Sequence, residues 1–259
     1  MFPYSDADIR HDTFPIVNVA LIGINVLVFI YEVGLGGFGV LFGNGNQDLS
    51  NFFFKWGFIP LELTLGEAFS HPGFDVKTPL PTSSTYLSSM FIHGGLFHLA
   101  GNMMFLWVFG DNIEDRIGHL KYLVFYLVAG VGAALAHLAV DPYSQIPLVG
   151  ASGAISGVMG AYMLLFPFNR IKTLIVIYII TAIEVRAVYL LGAWFVWQLI
   201  QGLLSVGVSK QVDIAFFAHV GGFVAGVLIM AMYKVATKQS MLPEGVRGEP
   251  WDDWYRTRN

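Results

Sequence analysis

Two short stretches carry the residues best suited to chemistry. Gly150-Ala151-Ser152-Gly153 stands at the head of one apolar, glycine-laced run, and Ala218-His219-Val220-Gly221-Gly222 lies in another downstream. A serine hydroxyl and an imidazole are the parts of a nucleophile and its general base. An unperturbed imidazole has a pKa of about 6.5, so at pH 7 its neutral form can take the hydroxyl proton. Cysteine is absent. That excludes a thiolate nucleophile, a disulfide framework and a Cys-ligated metal, and it leaves serine as the nucleophile to consider.

The solvent for this chemistry is mostly lipid. Mean hydropathy is +0.62, and 55% of residues are hydrophobic against 12% charged, far from soluble averages. A net charge of -4, without a basic stripe interleaved with stacking aromatics, argues against nucleic acid as a partner. Polar groups at membrane depth are costly and mark function.

About 20 apolar residues are needed to cross the hydrocarbon as a helix. Phe14–Val33, Tyr122–Val140, Ser152–Phe168, Ala187–Val206 and Ile214–Tyr233 come close to that length. A further span starts near Gly95, inside a stretch from Pro79 to Gly110 that has no Asp, Glu, Lys or Arg. Six spans are therefore predicted. The apolar run Leu174–Ile183 would cover only about 15 Å as a helix, half a hydrocarbon core, and is read as interfacial. The polar start of the chain does not look like a cleavable signal, so the first span is expected to be an anchor. The resulting layout is a tail over residues 1–13, a six-span domain over 14–233 and a tail over 234–259, with no internal repeat.

Lys and Arg are split 11 to 3 between alternate loops. The larger group is Arg10, Arg116, Lys121, Arg170, Lys172, Arg186, Lys234, Lys238, Arg247, Arg256 and Arg258; the smaller is Lys55, Lys77 and Lys210. Because cytoplasmic loops keep the excess, both termini are expected in the cytoplasm. The second, fourth and sixth spans then all enter from the outer face. Near those entries lie His98 and Asn102, Ser152, and His219, which should share one depth. His98 and Asn102 are four residues apart and stack on one helix face. Gly153, Gly157 and Ala161, and Ala218, Gly222 and Gly226, form small-residue faces that let membrane helices approach closely. If the fourth and sixth spans pack through these faces, Ser152 and His219 come within hydrogen-bond reach.

At this point the chain resembles the rhomboid family of intramembrane serine proteases, over roughly Ser89 to Tyr233. The resemblance rests on His93-Gly94-Gly95-Leu96-Phe97-His98-Leu99-Ala100-Gly101-Asn102, on Gly150-Ala151-Ser152-Gly153, and on Ala218-His219-Val220-Gly221-Gly222-Phe223-Val224-Ala225-Gly226. It implies an all-α, polytopic six-helix bundle in which Ser152 is the nucleophile and His219 the base. It also implies that Asn102, His98 and the Ser152 N–H hold the oxyanion, with no cofactor. The implied substrates are membrane proteins with a transmembrane helix, and the compact layout resembles that of rhomboids of a prokaryotic plasma membrane. Two departures stand out. A tyrosine that stacks on the base in some relatives is replaced by Ser156, and the Trp-Arg pair of animal-type first loops is missing.

Each residue also has a plainer reading. Ser152 could cap or pack a helix start, His219 could be a satisfied buried histidine, and Asn102 and His98 could tie helices together. His93 is divided between loop structure and a direct role; His11, His71, His119 and His137 read as structural or solvent-facing, and Glu114 with Arg116 as a stabilising network. No acidic residue is obviously placed behind His219, so helix packing is expected to hold its ring. The long, aromatic first loop, Gly34 to about Gly94, is expected partly in the outer leaflet beside the first span. Two competing classes are an inert rhomboid-like protein that binds membrane clients, and a transporter using His93, His98, His137 and His219 as metal ligands.

Overall fold

In an apolar solvent the backbone must satisfy its own hydrogen bonds, and long hydrophobic runs do so as helices. The computed structural model describes residues 2–8, 12–68, 78, 81–176, 180–205 and 216–243. Its elements are β1 (Phe2–Asp6), α1 (Ile16–Gly36), α2 (Gln47–Trp56), α3 (Pro60–Leu65), α4 (Thr85–Ser88), α5 (Leu96–Ile117), α6 (His119–Val140), α7 (Ser152–Leu165), β2 (Arg170–Val176), β3 (Ile180–Arg186), α8 (Ala187–Ser205) and α9 (Phe216–Ala236). The expectations for His11, His71, Lys77 and the tail beyond residue 243 lie outside the described residues.

The fold is the predicted helical, polytopic one, with helices where the spans were expected. By length and composition α1, α6, α8 and α9 can cross a membrane, and Thr82–Phe91 with α5 makes a fifth candidate that is bent by 85° at its break. The expected span over Ser152–Phe168 is different. Its helix, α7, has 14 residues, about 21 Å of rise against the roughly 30 Å of a hydrocarbon core. It ends at Leu165, four residues before the polar pair Asn169 and Arg170. With that end at an interface, Ser152 starts the helix on the order of 10 Å short of the other surface.

The run Leu174–Ile183, expected to be interfacial, contributes its described residues to β2 and β3, which pair antiparallel from Arg170↔Arg186 to Val176↔Ile180. β1 adds to the other edge of β2, from Phe2↔Leu174 to Asp6↔Ile171, so the start of the chain is a strand of a three-stranded sheet. Alternation through Ile171, Thr173 and Ile175 suits a strand. The Arg170 guanidinium bonds Asp8 at 2.7 Å, and the Tyr162 hydroxyl of α7 donates to Asp6. The sheet thereby grips the end of α7 remote from Ser152.

Polar side chains buried between helices are used as ties. The Glu114 carboxylate accepts from the backbone N–H groups of Val17 (2.9 Å) and Asn18 (2.7 Å), capping the start of α1 from α5. Tyr122 of α6 donates to Asn18 at 2.8 Å, and Asn18 donates to the Leu106 carbonyl at 3.0 Å. His119 also bonds Glu114, and Arg116 bonds Gln239. Glu114 and Arg116 thus sit in the stabilising role expected of them. Within the first loop, α2 lies against α1, with Phe52 edge-on to Tyr31 at 5.6 Å between ring centroids.

The tightest helix contact is between α7 and α9, through the small-residue faces. A Cβ on Gly226 would lie 1.9 Å from the Gly157 carbonyl oxygen, and one on Gly222 would lie 2.1 Å from that of Gly153. Gly23 of α1 has nothing within 4 Å of such an atom. Gly226→Val is therefore expected to cost about 3 kcal/mol by overpacking, whereas Gly23→Ala stays within about 1 kcal/mol. Thermal unfolding in detergent checks both; a Gly226→Val protein as stable as wild type would contradict the packing described.

Candidate active site

The segment entering α7 is fixed from the first loop. Phe58 and Leu148 exchange two backbone hydrogen bonds, 3.0 and 2.7 Å, and the Gly150 N–H donates to the Ser89 carbonyl at 2.9 Å. Gly150 then turns the chain at φ +125, in the region that favours glycine. Ser152 follows as the first residue of α7, preceded by Ala151 with no side-chain cap. The opening N–H groups of a helix have no intrahelical acceptor and carry the positive end of its dipole. The backbone around Ser152 is therefore suited to meet negative charge.

His219 sits near the start of α9, within its first turn. Its Nε2 lies 2.7 Å from the Ser152 Oγ. The two half-buried side chains thus touch across the α7–α9 packing seam. On the far side of the ring, Nδ1 lies 2.8 Å from Oε1 of Gln198 on α8. Trp194, one turn earlier on α8, packs its ring on the imidazole at 6.0 Å between centroids and 38° between planes. The ring is therefore held by a hydrogen bond as well as by packing.

Asn102 and His98 come from the first two turns of α5. The Asn102 amide donates one hydrogen to the His98 carbonyl at 3.0 Å; an amide nitrogen carries two. The Gly94 N–H points at His98 Nδ1, 3.4 Å away, which leaves Nε2 as the donor nitrogen of a neutral ring. A Cβ on Gly150 would lie 2.9 Å from His98 Nε2 and 3.6 Å from the Ser152 Oγ, so both groups flank the same glycine. His93 packs edge-on to His98 at 5.1 Å, and its own N–H donates to the buried Glu32 at 3.1 Å. His93 thus supports His98 from behind. Ser156, at the place of the tyrosine expected in relatives, donates to the Ser152 carbonyl at 2.6 Å and does not reach out to hold the imidazole.

The four side chains singled out in the sequence, Ser152, His219, His98 and Asn102, are thus brought to one end of the bundle. A small cavity of about 20 Å³ opens beside Ser152, lined by Met90, Gly130, Ala133 and Ala218 among others. Such an arrangement can transfer a proton from Oγ to Nε2 and present donors to a nearby developing anion. Gln198 and Trp194 escaped the sequence reading. The available signal was a glutamine and a tryptophan four residues apart in an apolar span, where a polar side chain needs a partner. Among the described residues, no group of three or more His, Cys, Asp or Glu is placed to hold a metal ion.

The family model described as Rhomboid domain matches residues 82–235. The chain is 32% identical over 143 residues to RHOMBOID-like protein 5 of Arabidopsis thaliana, covering 55% of this chain and 41% of that protein. It is 34% identical over 164 residues to rhomboid protease AarA of Providencia stuartii, covering 57% and 55%. Over 84 residues it is 38% identical to rhomboid protease GluP of Bacillus subtilis, covering 32% and 16%. The chain thus spans well under two thirds of the length of these relatives.

The positive φ of Gly150 and its closeness to the His98 ring make a specific demand. Gly150→Ala is expected to lower stability by about 1–3 kcal/mol through backbone strain and to displace the His98 imidazole. NMR of ring-labelled histidines should show the His98 resonances moved and those of His137 unchanged; an unperturbed His98 would contradict the geometry.

Proposed function

Since this chain belongs to the rhomboid family and is an integral membrane protein, we propose that it is an intramembrane serine endopeptidase that hydrolyses peptide bonds in or near transmembrane helices of other membrane proteins. The single observation that carries this reading is the 2.7 Å approach of His219 Nε2 to Ser152 Oγ across two helices. A hydrogen bond of that length suits direct proton transfer between nucleophile and base.

In the proposed reaction, Oγ of Ser152 attacks the scissile carbonyl carbon while its proton passes to His219 Nε2. The carbonyl oxygen becomes an oxyanion, held by the Ser152 N–H, the spare hydrogen of the Asn102 amide and His98 Nε2–H. Collapse of this intermediate expels the amine, which takes the proton from His219, and leaves an acyl ester on Ser152. Water, deprotonated by the same imidazole, attacks the ester; the C–Oγ bond then breaks, the new carboxyl terminus leaves, and Oγ takes the proton back from His219. A substrate helix hides its carbonyls in its own hydrogen bonds, so it must unwind locally before it can be cut. With its far end at one interface, the short α7 would set Ser152 below the other surface yet near enough for water to reach, which supports this chemistry.

The reading includes its setting. The protease domain is assigned to residues 14–233 between two short tails, with both tails on the cytoplasmic side of a prokaryotic plasma membrane. The 11-to-3 distribution of Lys and Arg supports that orientation. The partners are single-span or multi-span membrane proteins and the bilayer itself.

Two substitutions test the proposal on a purified single-span substrate, with product masses locating the cut. Ser152→Ala should abolish cleavage, and continued cleavage by that variant would eliminate the assignment. Asn102→Ala should lower kcat by about 10²-fold or more while leaving KM nearly unchanged, the pattern of a lost oxyanion donor.

A further inference from the structure

Among the described residues no carboxylate stands behind the assigned base, yet its Nδ1 is not free. Gln198 is 9% exposed and directs Oε1 at His219 Nδ1 from 2.8 Å. A neutral imidazole has one N–H and one lone pair, and whichever nitrogen holds the proton decides which can accept. Only an acceptor opposite Nδ1 keeps the proton there and leaves the Nε2 lone pair facing Ser152 Oγ. A carboxamide offers such an acceptor through its oxygen. We propose that Gln198 is a positioning residue that locks His219 in its Nδ1–H tautomer, so that Nε2 is the basic nitrogen at the serine.

This rests on the Ser152–His219 reading and adds to it the identity of the orienting group. The companion contact comes from the same helix face, since Trp194 lies one turn before Gln198 and packs at a tilt against the same ring. Together they fix position, rotation and tautomer: the indole limits tilt, and the amide limits spin about the Cβ–Cγ bond. Ser156, with its hydroxyl committed to the Ser152 carbonyl, does neither. The chemistry differs from that of a carboxylate-backed base in one respect. A neutral amide orients the ring but adds no negative charge beside the imidazolium that forms during attack. Replacing the amide by a carboxylate should therefore keep the orientation and change the base strength.

The experiment compares wild type, Gln198→Ala and Gln198→Glu in detergent, reading cleavage kinetics and the rate of Ser152 labelling by a fluorophosphonate. Gln198→Ala should lower kcat and the labelling rate by about 10- to 100-fold, part of the ~10²–10⁴ that a general base contributes, with KM little changed. Gln198→Glu should recover much of that loss. Its acid limb in the kcat/KM profile should move to higher pH, because a carboxylate at Nδ1 stabilises the protonated ring. The titratable groups that act on His219 from the packed helices are His98 of α5 and His137 of α6. Both are unaltered in every variant, so a shift confined to Gln198→Glu belongs to the introduced carboxylate. Wild-type kcat and labelling in Gln198→Ala would overturn the role. So would equal losses in both variants with an unmoved acid limb, the mark of lost packing alone. Failure of the underlying dyad looks different: wild type would not label, or Ser152→Ala would still cleave.

Discussion

Everything at the candidate site depends on how closely two helices can approach. Ser152 and His219 are short reaches from their backbones, and a hydrogen bond between them requires the α7 and α9 axes to lie nearer than ordinary side chains permit. Glycine supplies that nearness. At Gly222 and Gly226 the facing carbonyls of Gly153 and Gly157 occupy the space a side chain would take. In lipid there is no hydrophobic drive between helices, so contact of this kind is what holds them together. The same surface that stabilises the bundle therefore sets the distance between hydroxyl and imidazole.

Around that seam, polar groups are placed where they tie one element to the next. Glu114 caps α1 from α5, Glu32 holds the turn at His93, and the backbone exchange between Phe58 and Leu148 holds the strand of chain leading to Ser152. Each tie joins segments far apart in sequence and takes the place of water that an apolar surrounding does not provide. The sheet of β1, β2 and β3 does the same at the opposite end, where Tyr162 and Asp6 join α7 to the start of the chain. α7 is thus gripped at both ends, which suits a helix too short to be fixed by spanning the bilayer.

The sequence made the helical architecture legible because hydropathy and length report directly on what lipid demands. It made the four polar residues legible because His98 with Asn102, and the glycine ladders around Ser152 and His219, have helical spacing. The small sheet was not read. Its apolar run lacks the Asn-Gly or Asp-Gly turn that marks a hairpin, and the pairing of Phe2–Asp6 with Arg170–Val176 joins segments more than 160 residues apart. The end of α7 was placed at Phe168 by hydropathy alone, since Phe166 and Phe168 are apolar whether or not the helix continues. Gln198 was missed for a different reason: its partner lies on another helix at a distance of 21 residues, and a lone glutamine in a span does not announce which group it faces.

The placement of the imidazole's supports has a consequence for how the site is assembled. Ser152 and His219 are fixed by the α7–α9 seam, whereas Trp194 and Gln198 reach the ring from α8, a helix with only a few of its residues fully buried. Bringing hydroxyl and ring together and orienting the ring are therefore carried by different contacts. Separating the glycine seam would forfeit backbone-level packing along about two turns of each helix. The α8 contact consists of one amide and one indole, four residues apart on a single face. A displacement of α8 away from α9 would leave the 2.7 Å pair in place but release Nδ1 and allow the ring to rotate. Proximity in this fold is built into the backbone, while the direction of the lone pair is set by side chains on a more loosely held neighbour.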